Sequence, residues 1–412
     1  MNLLSVEQAR KRILAHFQPV PTETLPLQVC SQRVLAQTIA AQDDFPPFDN
    51  SSMDGFAVRA ADVASASSTS PRTLRVIGDI PAGSYPRFVL NSGETARIMT
   101  GAPLPAGADA VVPVEDTNVE HRDPGIPAPH EVQVFKPAKI GDHRRPRGMD
   151  LRAGDLVLNP GRLLKPQDLG LLAMLGISAV SVFRKPRLAL FSSGDELLDV
   201  NAPLEEGKIR DSNSYMLGAL TEGAGADVLR LGVANDNPES VQALLKNAVD
   251  ARVDLILSSA GVSVGAFDFV RQVIESKGKM DFWRVNMRPG KPLAFGQYDG
   301  IPFIGLPGNP VSAYVGFKVF VEAVLRRLRG LPDEGTQTMR VRCAEQIDSD
   351  GRESYLRAYV QADAENGGWL AHLAGHQGSG NLYSLVQANA LLIIPAGVKC
   401  VPAGQELEAW FI

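Results

Sequence analysis

Apolar residues change their spacing several times along this chain, and each change predicts a different kind of structure. Ile13, Leu14 and Phe17 fall at helical spacing behind Ser5 and Gln8, an S-x-x-Q capping box that opens a helix. From Asp43 to about Asp150 the apolar runs become short and β-branched, as in Arg75-Val76-Ile77 and Ala110-Val111-Val112. Frequent prolines and glycines separate them, which predicts a small β-rich domain with many turns. Gly161 to Phe183 returns to a helix followed by a strand.

From Pro186 the pattern is βαβ. Leu188–Phe191, Val228–Val233, Asp254–Ser258 and Ile301–Gly305 read as buried strands. A helix is expected around Tyr215–Glu222, and Asn237-Pro238-Glu239 opens another with proline at its first position. A further helix after Asn309 carries Tyr314, Phe317, Val321 and Leu325 on one face. Short apolar strands alternating with helices imply a mostly parallel sheet covered on both faces, with ligands at the carboxyl ends of its strands. After Leu331-Pro332-Asp333-Glu334, the segments Arg340–Cys343, Tyr355–Val360, Ala390–Ile394 and Leu407–Phe411 read as strands of a small all-β tail.

The chain is therefore expected to be α/β and multidomain. A helical and linker domain is drawn from 1–42 and 151–185, and a β-rich insert spans 43–150. An α/β domain follows at 186–330, and a barrel-like β domain at 331–412. A length of 412 residues exceeds what one core usually supports. The formal charge of −5 argues against a nucleic-acid partner. Met1–Glu7 lacks a basic region followed by an apolar run, so no signal peptide is expected and the cytoplasm is. The uncharged helix-and-strand stretch Leu169 to Phe183 is shorter than the roughly 20 apolar residues of a membrane span, so no membrane partner is expected. Cys30, Cys343 and Cys400 are too scattered for a disulfide framework or a zinc site. His372 and His376 stand four apart among glycines and make a poor metal pair.

Candidate chemistry gathers in the βαβ region. Ser192-Ser193-Gly194-Asp195-Glu196 ends a buried strand with two carboxylates, although a turn and helix cap would favour the same residues. Ser258-Ser259-Ala260-Gly261-Val262-Ser263-Val264-Gly265 allows close backbone approach to an anion, and Asp268 follows it as a metal ligand or a plain N-cap. Arg284, Arg288 and Lys291 surround Pro289-Gly290 and suit a phosphate or oxyanion. Gly305-Leu306-Pro307-Gly308-Asn309-Pro310 is a second loop with backbone donors. Pro47–Phe56 and Arg97–Pro103 are structured loops to which residue chemistry alone assigns nothing.

At these residues the chain resembles the MoeA family, the molybdopterin molybdenumtransferases, relatives of the gephyrin E domain. The family's runs appear, in order, as Pro47–Arg59, Arg97–Pro103, Ser192–Leu197, Ser258–Asp268, Arg288–Pro292 and Gly305–Ser312. The resemblance implies a homodimer whose α/β domain forms the cleft together with loops of the partner subunit, those of Asp54 and Thr100. It implies insertion of molybdate into adenylylated molybdopterin with release of AMP, aided by Mg2+. The catalytic set is then Asp54, Thr100, Asp150, Glu196, Asp268 and Arg288. Asp195, Glu196, Asp236 and Asp268 would hold the metal. Substrate would be bound by Arg145, Ser193, Gly194, Ser259, Gly261, Ser263, Gly265, Arg284, Lys291, Pro307, Gly308, Asn309 and Ser379. A molybdopterin adenylyltransferase and apo-molybdoenzymes or their chaperones are the implied partners.

Several positions depart from the family pattern. Ala260 replaces a usual glycine, Met149 replaces a usual carboxylate beside Asp150, and Arg284 and Arg288 are lysine in some relatives. The rival readings are a non-catalytic scaffold or binding module of the same fold, and a molybdopterin adenylyltransferase. The presence of Glu196, Asp268, Arg288 and Lys291 weighs against the first. The long flanking domains weigh against the second.

Overall fold

A computed structural model describes residues 3–119, 126–259, 266–333, 335, 337–364 and 367–412. The chain divides into two compact units. One comprises residues 1–37, 160–170 and 178–412, the other 38–159 and 171–177.

The smaller unit is built on a five-stranded sheet in the order Ala110–Pro113, Gly55–Val58, Glu94–Ile98, Arg72–Ile80, Glu131–Val134. Phe56, Val58, Leu74, Val112 and Val132 are buried on one side of it, and Ala57, Ile80, Ala96, Ile98 and Val111 on the other. Both faces are thus covered, which accounts for the β-branched runs. Gly55 is fixed by contact, because a Cβ there would lie 2.0 Å from the Val112 carbonyl oxygen.

In the larger unit the first helix is Val6–Leu14, and its capping box forms as expected, Ser5 and Gln8 each bonding the other's backbone N–H. Its buried Ile13 and Leu14 join the core that lies against the central sheet. That sheet has the order Asp227–Ala234, Arg187–Ser193, Leu255–Ser259, Ile301–Leu306, Pro292–Tyr298, Gly278–Arg284. The first four strands run parallel, and the last two add antiparallel pairings. The sequence reading missed these two strands. Pro292 interrupts the apolar pattern at the start of one, and the other carries Lys279, Asp281 and Arg284 along an edge.

Leu188, Leu190, Leu255, Leu257 and Ile304 fill one face of the sheet, and Ala189, Phe191, Ile256 and Phe303 the other. Each fully buried large apolar side chain contributes about 1.5–3 kcal/mol, which is why the parallel strands read as unbroken apolar runs. The helical run from Pro310 to Leu328 contains a π turn at Phe317–Val321, a phase slip with no warning in the sequence.

The C-terminal strands close into a ring. Glu353–Ala362 pairs with both Trp369–Leu373 and Ala390–Ile394, while Met339–Cys343 and Glu406–Phe411 complete the circuit. Closure removes the sheet edges that an open tail of this size would expose. Met287–Arg288, from the central domain, adds in parallel to Glu353–Ser354 and ties the barrel to it. Cys30 and Cys343 are buried, Cys400 is exposed, and all are free thiols. Among the described residues, no helix is long and apolar enough to cross a membrane.

Candidate functional site

A cleft of roughly 860 Å3 opens at the carboxyl ends of the parallel strands. Glu196 follows the first strand, Ser259 ends the third in chain order, and Pro307, Gly308 and Asn309 follow Ile301–Leu306. Asn213 pins these loops together: its Nδ2 donates to Ser259 Oγ and to the Gly308 carbonyl, both at 2.7 Å. Among the described residues its Oδ1 is buried without a partner, as are the hydroxyls of Ser192, Ser193 and Ser258. Unmet polar atoms at strand ends are costly unless a ligand or water meets them.

Arg288 and Lys291 stand on a loop closed at its base, where the Val285 N–H donates to the Lys291 carbonyl at 3.0 Å. Gly290 takes a φ of +104°, so the turn between the two cations needs glycine. The opposite wall belongs to the barrel, through Arg352, Gln377, Gly378 and Ser379. Asn309 Nδ2 donates to Ser379 Oγ at 2.9 Å, and the Val311 N–H to the Ser379 carbonyl at 3.1 Å.

Behind that wall lies Arg357, fully buried. Its guanidinium donates to Ser384 Oγ and to the carbonyls of His376 and Gly378, between 3.0 and 3.2 Å. Burial, assisted by Arg288, pulls its pKa down to about 10. Asp350 is held down at about 2, chiefly by hydrogen bonding from Arg352, with Arg288 adding to the effect at 3.9 Å. One carboxylate thus restrains two of the cleft's cations.

The carboxylates beside the cleft repel one another. Asp236 is raised by burial and by the charges of Asp195 and Glu196, even though its N–H donates to Asp195 Oδ1 at 3.1 Å. Among the described residues, no three His, Cys, Asp or Glu side chains converge in a preformed metal geometry. The donor chemistry still fits a hard divalent cation, which would relieve that repulsion.

Residues 4–176 match the family model of the MoeA N-terminal region (domain I and II). Residues 189–327 match the probable molybdopterin binding domain, and 340–412 the MoeA C-terminal region (domain IV). The chain is 38% identical over 394 residues to the molybdopterin molybdenumtransferase of Nostoc sp., covering 94% of this chain and 88% of that one. It is also 38% identical over 414 residues to molybdopterin molybdenumtransferase 2 of Mycobacterium tuberculosis, covering 98% and 99%. The crystal structure of the molybdopterin biosynthesis MoeA protein from Pyrococcus horikoshii superposes with a TM-score of 0.83 at 30% identity, each chain covered in full. The chain belongs to the MoeA family.

For this MoeA family member the cleft gathers Glu196, Ser259, Arg288, Lys291, Pro307, Gly308, Asn309 and Ser379 from the residues expected at sequence level. Ser193 is buried at the end of its strand, and Glu196 folds back over Gly194. Arg284 lies exposed on the edge strand and does not line the cleft, because the chain reaches the cation loop only after that strand ends. Gly261, Ser263, Gly265 and the side chain of Asp268 fall outside the described residues.

In the smaller unit, Asp54 Oδ1 accepts from both the backbone N–H and the hydroxyl of Thr100, at 2.7 and 2.8 Å. The two loops that carry them are therefore one structure. Arg145 pairs with Asn50 in a short antiparallel ladder. Asp150 sits in a turn whose N–H donates to the Phe45 carbonyl, and Met149 beside it is exposed.

Sequence reasoning missed Asn213, Asp211, Arg352, Gln377 and the Asp350 restraint. The first two had a signal: Asp211-Ser212-Asn213 is a helix start, with Asp211 Oδ1 accepting from the Ser214 N–H at 3.0 Å. The others had none, because their place depends on how the barrel pairs with a distant segment.

Proposed function

We propose that this chain inserts molybdenum into molybdopterin, with the cleft as its active site. The observation that carries the reading is the convergence of Arg288, Lys291 and Arg352 on loops rich in backbone and hydroxyl donors. Molybdate is a dianion, and fixed cations in a partly desolvated cleft would hold it at less reorganisation cost than water. The names of the relatives, molybdopterin molybdenumtransferases, support the substrate pair.

The finer reading has adenylylated molybdopterin as the substrate. Water attacks its pyrophosphate, the phosphoanhydride P–O bond breaks, and AMP leaves. The dithiolene sulfurs then replace one molybdate oxygen, which departs as water with the two thiol protons. Arg288 and Lys291 would hold the anionic oxygens, while Asn213, Ser259 and Asn309 would orient the pterin end. Asp195, Glu196 and Asp236, joined by Asp268, would hold Mg2+. When bound, the cation neutralises charge on the pyrophosphate. We further take the working form to be a homodimer, to be checked by solution mass.

The test is AMP release from adenylylated molybdopterin by the purified chain with Mg2+, molybdate present or absent. Molybdate-dependent release, with transfer of active cofactor to an apo-enzyme, is the expected result. Substrate binding without AMP under any oxyanion would identify a carrier or scaffold instead.

A further inference from the structure

The amino ends of the same parallel strands carry a second, smaller pocket of roughly 220 Å3. Its lining includes Arg33, Arg184, Lys185 and Arg329, with Glu222 as the one carboxylate. Residues 183–185 precede the Arg187–Ser193 strand, and Gly223 and Gly225 precede Asp227–Ala234. The cleft lies beyond the other end of those strands, about 20 Å away for a strand of this length.

The cations here are not equally paired. Arg184 meets both oxygens of Asp254, Arg33 meets Glu23, and Lys185 stands 3.8 Å from Asp227. Glu222 is itself held by Arg230 at 3.0 Å. Arg329 differs. Among the described residues its guanidinium meets only carbonyls, Nη1 to Ala224 and Nη2 to Gln32, both at 2.8 Å. That leaves N–H donors unused on a charge that no carboxylate of the described residues neutralises.

The backbone is shaped to seat this guanidinium. Gly225 has a φ of +81°, and a Cβ there would lie 2.5 Å from Arg329 Cζ. Burial is the main cause of a lowered Arg329 pKa, and the charges of Arg326 and Arg33 add to it. A plain structural role is available, since a cation closing the carboxyl end of the Asn213–Gly223 helix is favourable. That role explains Arg329 by itself. It does not explain why Arg33, Arg184 and Lys185 converge on the same small cavity.

We infer that this pocket is a second anion site, separate from the cleft, that takes a phosphate group or a similar small dianion on Arg329 and Lys185. Fork-shaped guanidinium donors around a cavity of this size suit a tetrahedral oxyanion.

The test uses the full chain in phosphate-free buffer, titrated calorimetrically with inorganic phosphate and with phenyl phosphate. In the Arg288→Ala/Lys291→Ala/Arg352→Ala background, which removes the three cleft cations, one phosphate site should remain. Adding Lys185→Glu should weaken it roughly tenfold or more, the scale of one charge-assisted contact, and Arg329→Gln should abolish it. Binding of both ligands would assign the site to a phosphoryl group, and binding of inorganic phosphate alone would assign it to the free ion. Absence of any residual site in the cleft variant, or unchanged binding in both pocket variants, would overturn the inference. If Arg329→Gln disturbs the fold by circular dichroism, Lys185→Glu carries the test, since its side chain is half exposed. Failure of molybdenum transfer would leave this result untouched, because neither pocket residue belongs to the cleft.

Discussion

The strand-end loops of the central domain and the wall donated by the C-terminal barrel face the same ligand space, yet they are held in place differently. The loops follow directly from buried strands, and a single side chain, Asn213, locks two of them together. The barrel wall is held by a two-residue pairing of Met287–Arg288 with Glu353–Ser354 and by an internal guanidinium, Arg357. One half of the site is built locally. The other half exists only when distant parts of the chain have docked.

The largest effect should come from removing the cations on the loop side. Arg288→Ala combined with Lys291→Ala is expected to lower molybdate-dependent AMP release by about 10²–10³-fold, the scale of lost transition-state charge stabilisation. The fold should be unchanged by circular dichroism. A variant that keeps its rate would move the oxyanion site to the barrel wall.

Arg357→Ala tests that wall. It removes three hydrogen bonds and leaves a void, so a loss of about 3 kcal/mol in denaturant unfolding is expected. Full stability with intact substrate affinity would show that the wall does not depend on this side chain.

Asn213→Ala should cost about 1–2 kcal/mol and raise KM more than it lowers kcat, because it frees two loops without touching the cations. An unchanged KM would mean that other contacts hold the loops.

The smallest effect concerns the carboxylates. Asp236 is raised in the folded chain, so its ionised form is disfavoured there relative to the unfolded chain, and wild type carries that cost above its folded pKa. Asp236→Asn should therefore raise Tm slightly at pH 8. The gain should shrink as pH falls through the raised carboxylate range and both chains become neutral at this position. Added Mg2+ should stabilise wild type more than the variant. Equal Mg2+ responses would remove Asp236 from the metal set.

The same contrast explains how much was legible in the sequence. The parallel strands were readable because burial on both faces makes Leu188–Phe191 and Leu255–Leu257 continuous apolar runs. Loops after such strands have a known direction, so Ser259, Gly308 and Asn309 were found. The Pro292–Tyr298 and Gly278–Arg284 strands were not, because the edge carries charge and proline that local rules assign to loops. Arg284 was grouped with Arg288 and Lys291 for the same reason: it is near them in sequence, but the strand that carries it stops short of the cleft. Arg352 could not be placed at all. A parallel pairing across more than sixty residues, from Met287 to Glu353, leaves no mark on either segment.

That short pairing also bears on how such a chain can be rearranged. The barrel closes on itself and would pass for an exchangeable module. Yet a replacement would have to present its own counterpart of Glu353–Ser354 in register with Met287–Arg288, or Arg352 and Ser379 would miss the cleft. A graft joined cleanly at the connecting segment would give a folded protein with half a site. Beside the Ser379 contacts to Asn309 and Val311, the seam that decides whether the parts work together lies in two residues far from the point where the chain would be cut.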